Sequence, residues 1–62
     1  MNIDQENQNI LQHIEEGNYH AAMNLAISAM NQCRREDNQP GVDYFIQTIK
    51  TIANAIAMEF GS

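Results

Sequence analysis

The residues from Val42 to Phe60 limit most strongly what this chain can fold into. Their apolar members, Val42, Phe45, Ile46, Ile49, Ile52, Ala53, Ile56, Ala57 and Phe60, are separated by steps of one, three and four, the spacing of one helix face. At 1.5 Å rise per residue they form a stripe roughly 28 Å long, which neither Gly nor Pro interrupts. Outside the stripe the same segment carries Tyr44, Ala55 and Met58, and its charges are limited to Asp43, Lys50 and Glu59. An apolar surface that wide exceeds what two short amphipathic neighbours cover. The expectation is therefore association through this segment, with Tyr44, Phe45, Ile49, Ile52, Ile56 and Phe60 making contacts between helices or subunits.

The preceding segments read as two shorter helices. Ile3, Ile10, Leu11 and Ile14 share one side of a helix over residues 3–16, which Asn2 or Asp4 caps. Gly17 stands where a left-handed closing residue belongs, and Asn18 suits the cap of the next helix. Over 19–35, Tyr19, Ala22, Met23, Ala26, Ala29, Met30 and Cys33 share a face, while Leu25 and Ile27 lie off it. Arg34 and Arg35 occupy the last turn, where the helix dipole favours positive charge. The segment Glu36-Asp37-Asn38-Gln39-Pro40-Gly41 breaks the pattern, and Pro40 suits a first helical turn. The fold class is all-α. Residues 1–62 form one domain of three helices in up-down-up order (about 3–16, 19–35 and 40–60) that self-associates into a helical bundle.

Sixty-two residues bury only about 60% of the unfolded chain's surface, so a second source of stability is expected. The single Cys33 excludes an intrachain disulfide, which leaves self-association. The net charge is −5, and the three basic groups are Arg34, Arg35 and Lys50. No basic stripe for a phosphate backbone or an anionic membrane can be assembled from them. The amino terminus lacks a charged-then-apolar leader and no stretch is apolar enough to span a bilayer, so the expected location is cytoplasmic. Asn and Gln, fourteen residues together, keep the surface polar with little charge.

No constellation with recognisable chemistry is present. His13 and His20 are seven residues apart, and with Cys33 they match no zinc-ligand spacing. Cys33 reads as a small apolar core residue. Ser28 and Ser62 have no base and orienting carboxylate at triad spacing, and Glu15 and Glu16 point about 100° apart on a helix. The expectation is a non-enzyme with no metal and no cofactor. Tyr19 and Tyr44 combine apolar area with a hydroxyl, which suits an interface or the edge of a core.

Gly17-Asn18-Tyr19, followed by Ala22, Ala26, Ala29 and Met30, resembles the second half of a tetratricopeptide-repeat hairpin, over roughly residues 3–35. Where that family's first helix expects a large aromatic, a Leu, a small residue and a Tyr, this chain has Glu6, Asn9, Ile10 and His13. The resemblance implies a helical scaffold that binds protein and does no catalysis. In length, acidity and lack of motifs the chain is also similar to small early-region accessory proteins of temperate phages. The function expected is that of a homodimeric regulator or adaptor acting on an unidentified protein partner. The alternative is a nucleic-acid-associated regulator whose dimer juxtaposes two Arg34-Arg35 pairs.

Overall fold

An asparagine side chain starts each of the three helices. In a computed structural model, which describes residues 2–60, α1 spans Ile3–Glu15, α2 spans Tyr19–Arg35 and α3 spans Gln39–Phe60. Asn2 Oδ1 accepts from the backbone N–H of Gln5 at 3.1 Å, Asn18 Oδ1 from Ala21 at 3.3 Å, and Asn38 Oδ1 from Gly41 at 3.2 Å. Each bond satisfies a donor that its own helix leaves unpaired. Pro40 falls in the first turn of α3, as its missing donor allows. Glu16 lies just past the end of α1 and Gln39 begins α3, so these two boundaries each sit one residue from the expected ones. Ser62, considered above as a nucleophile, falls with Gly61 outside the described residues.

The two turns are built alike, 20 residues apart. After α1, Gly17 takes φ 76°, its N–H donates to Ile14 O, and Asn18 N–H donates to His13 O at 2.8 Å. After α2, Asp37 takes φ 59°, its N–H donates to Arg34 O, and Asn38 N–H donates to Cys33 O at 2.8 Å. Both are left-handed C-terminal closures of the Schellman type.

The molecule is centred on α2, whereas the sequence pattern suggested α3 with the other helices as its cover. Helix α2 packs against both α1 and α3, which barely meet each other. The reason is side-chain size. Ala22, Ala26, Ala29 and Cys33, all buried, lie within roughly 60° of arc on α2 at 100° per residue, so both neighbours approach one small-residue strip. Ile10 from α1 and Phe45 and Ile52 from α3 are completely enclosed in the same cluster. Each contributes about 1.5–3 kcal/mol by leaving water. Ile3, Ile14, Tyr19, Met23, Leu25, Met30, Ile46, Ile49 and Ile56 pack around its edge. The Cα trace measures 38 × 18 × 13 Å, long because α3, at 22 residues, outruns its neighbours. From Ala53 to Phe60 no residue is fully buried.

Candidate interaction surface

The last turns of α3 and its two flanks hold most of the exposed large apolar side chains. Met58 is 81% exposed, Phe60 76% and Tyr44 44%, with Ala53 and Ala57 also exposed between them. Leu11 on α1 and Ile27 on α2 are the remaining large apolar groups in water among the described residues.

The residues expected to mediate association fall into three environments. Phe45 and Ile52 are completely buried against α2 and serve the core. Ile49, Ile56 and Tyr19 are half-buried at its edge. Tyr44 and Phe60 face water, and the Tyr44 ring stands edge-on to Phe45 with centroids 5.2 Å apart. The two rings are nearly perpendicular, an arrangement that aromatic quadrupoles favour. Sequence spacing placed all of these except Tyr19 on one helix but did not show which part of that helix's stripe α2 would cover. Ala53 and Ala57, which the pattern put in the covered stripe, are exposed.

The chemical candidates do not converge. His13 Nδ1 is buried without a hydrogen-bond partner and sits 3.6 Å from Glu16 Oε1, beyond hydrogen-bonding distance, while His20 is exposed. Among the described residues no three His, Cys, Asp or Glu side chains gather as metal ligands would. Cys33 is fully enclosed in α2. At the end of α2, Arg35 Nη2 donates to Gln32 Oε1 at 2.8 Å, and Gln32 Nε2 donates to Glu36 Oε2 at 3.0 Å. That amide donor holds the Glu36 carboxyl below its ordinary range against a smaller opposing effect of desolvation, with the Arg35 charge adding to the lowering. A cleft of about 290 Å³ between α1 and α2 is lined by Glu6, Ser28, Ala29 and Gln32. These residues bring a carboxylate, a hydroxyl, a carboxamide and a methyl group to its walls. No helix among the described residues is long and apolar enough to cross a membrane.

Comparison with family models, with curated proteins and with solved structures yields no match for this chain.

Proposed function

We propose that this chain is a small, acidic, non-enzymatic protein-interaction module of the cytoplasm: three helices in up-down-up order that pair with a second copy through α3 and regulate a partner protein by binding it. The observation that carries this reading is the number of apolar side chains left open on α3, Ala53, Ala57 and Phe60 on one flank and Tyr44 and Met58 on the other. The likeness of residues 3–35 to a tetratricopeptide-type hairpin supports a binding scaffold. Nothing comparable favours nucleic acid. Arg35 is held by Gln32, and Glu36 and Asp37 follow the two arginines directly.

The accessible surface, 4239 Å², is close to the roughly 4,000 Å² expected of a folded monomer of 7.0 kDa. The subunit is thus compact before it pairs, and its association is concentration-dependent. Sedimentation equilibrium from micromolar to millimolar concentration tests this. The expected result is a mass rising from 7.0 kDa toward twice that value. A mass that stays at one chain throughout contradicts the dimer.

A further inference from the structure

We infer that the cleft between α1 and α2 binds a primary ammonium group carried on a straight alkyl chain, with the Glu6 carboxylate as its counter-charge. The chain has eight carboxylates, and all but one stand exposed. Glu6 is the exception. It is half-buried, yet its side chain makes no hydrogen bond or ion pair among the described residues. A carboxylate drawn partly out of water without a bond in return costs stability.

Its place on α1 explains the burial. Glu6 comes three residues after Ile3 and four before the enclosed Ile10, so it lies on the stripe that α1 turns toward the core. That stripe otherwise carries Ile3, Ile10 and Ile14, and an apolar residue at position 6 would extend it. Across from Glu6, α2 supplies Ser28, Ala29 and Gln32, and the four residues line about 290 Å³.

The lining suits an ammonium. Its N–H donors match the Glu6 carboxylate, the Ser28 hydroxyl oxygen and the Gln32 carboxamide oxygen, and the Ala29 methyl offers the alkyl stem an apolar wall. The Ser28 hydroxyl is uncommitted: Thr48 and Thr51 donate theirs to carbonyls four residues back, whereas Ser28 makes no side-chain hydrogen bond among the described residues. Gln32 Oε1 accepts from Arg35 at 2.8 Å and retains a second lone pair. Arg35 and Glu36, both bonded to that carboxamide, offset each other's charge there. A planar guanidinium brings more donors than the lining has acceptor groups. A hard metal ion, which wants several oxygen ligands, finds a single carboxylate. The net charge of −5 draws cations to the molecule, and the cleft selects among them.

A lysine side chain and a free diamine both carry this group. A lysine as the source rests on the protein-binding role proposed above; the cleft's preference for an ammonium does not. Amide NMR titrations with Nα-acetyl-lysine N-methylamide and with 1,4-diaminobutane, at equal low ionic strength, test it. Both should saturate in the millimolar range, with shifts centred on Glu6, Ser28 and Gln32. Tighter binding of the lysine derivative assigns the source to a partner protein, and tighter binding of the diamine to a free polyamine. Glu6→Gln should weaken binding about 5-fold or more, whereas Glu15→Gln, which removes an exposed carboxylate of the same helix, should leave it unchanged. Glu6→Leu should abolish binding and raise the melting temperature, because it completes the apolar stripe. The ammonium site is overturned by the lack of a saturable shift, by equal binding of the Nε-acetylated lysine or the arginine derivative, or by a Glu6→Leu protein less stable than the wild type. Such a failure leaves pairing through α3 standing, and a chain that never dimerises leaves the cleft standing.

Discussion

A Cβ placed on Gly41 would lie 2.6 Å from Cys33 Sγ and 2.8 Å from Asn38 Nδ2. Neither neighbour yields easily, since Cys33 is enclosed on all sides and the Asn38 carboxamide caps α3. Alanine gains about 1 kcal/mol over glycine in helix propensity. Overpacking costs typically about 1–3 kcal/mol, and at such separations the contact outweighs the propensity. Gly41→Ala should therefore lower stability by about 1–2 kcal/mol in urea denaturation. Adding Cys33→Ala removes the sulfur, so the double variant should be more stable than the sum of the single effects. A Gly41→Ala protein as stable as the wild type contradicts the close packing. That Cys33 belongs to the core was legible from its place in the Ala22–Ala26–Ala29 stripe. Its contact with Gly41 was not, because the contact joins two helices across a turn whose conformation the sequence left open.

At the scale of elements, the two turns ask for the same backbone and supply it differently. Gly17 reaches positive φ without penalty, and a Cβ there would meet nothing within 4 Å, so only the backbone opposes substitution. Asp37 reaches it against the steric cost that a side chain carries in the left-handed region. Exchanging the residues should therefore give opposite signs. Asp37→Gly should raise stability by roughly 0.5–1 kcal/mol, after the larger unfolded-state entropy of glycine is subtracted, and Gly17→Asp should lower it by about 1 kcal/mol. Thermal melts of the two variants decide it, and shifts of the same sign would refute the shared geometry. The first turn was readable from Gly-Asn. The second was hidden, since Glu-Asp-Asn-Gln-Pro-Gly offers several places to close a helix and the left-handed position falls to Asp37 rather than to a glycine. The end of α2 also carries a pH-dependent brace. Because Gln32 and Arg35 lower the Glu36 pKa from 4.5, the ionised carboxylate favours the folded state. Its contribution is complete above pH 4.5 and is lost as the pH falls through the lowered folded value. In a carboxyl-carbon NMR titration, Gln32→Ala should move the Glu36 midpoint upward, and an unmoved midpoint would show that Gln32 is not its chief cause.

At the scale of the whole molecule, the three helices are held very unequally. Helix α2 has four buried residues and faces both neighbours, and α3 has Gly41, Val42, Phe45 and Ile52, whereas α1 has one fully buried residue, Ile10, with Ile3 and Ile14 at the core's edge. The sequence showed α1 to have a narrow stripe, but the ranking of the other two was inverted: the greasier helix drew attention, while the alanine strip that seats both neighbours is modest in hydropathy and decisive in shape. Local opening free energies follow buried contacts more closely than helix length. In native-state hydrogen exchange, amides in the middle of α1 should exchange at least ~10-fold faster than those of α2 around Ala26–Ala29, and those of α3 should divide, slow near Phe45–Ile52 and fast beyond Ala53. Ile10→Ala, which removes the one fully buried side chain of α1, should cost about 2–4 kcal/mol and bring α1 exchange close to that of an unstructured chain. Leu11→Ala, next to it but 48% exposed, should change little. Raising the protein concentration should slow exchange in residues 53–60 if α3 pairs there and should leave α1 unaffected. Uniform protection across all three helices would mean that they open as one unit, and the central role given to α2 would then be wrong.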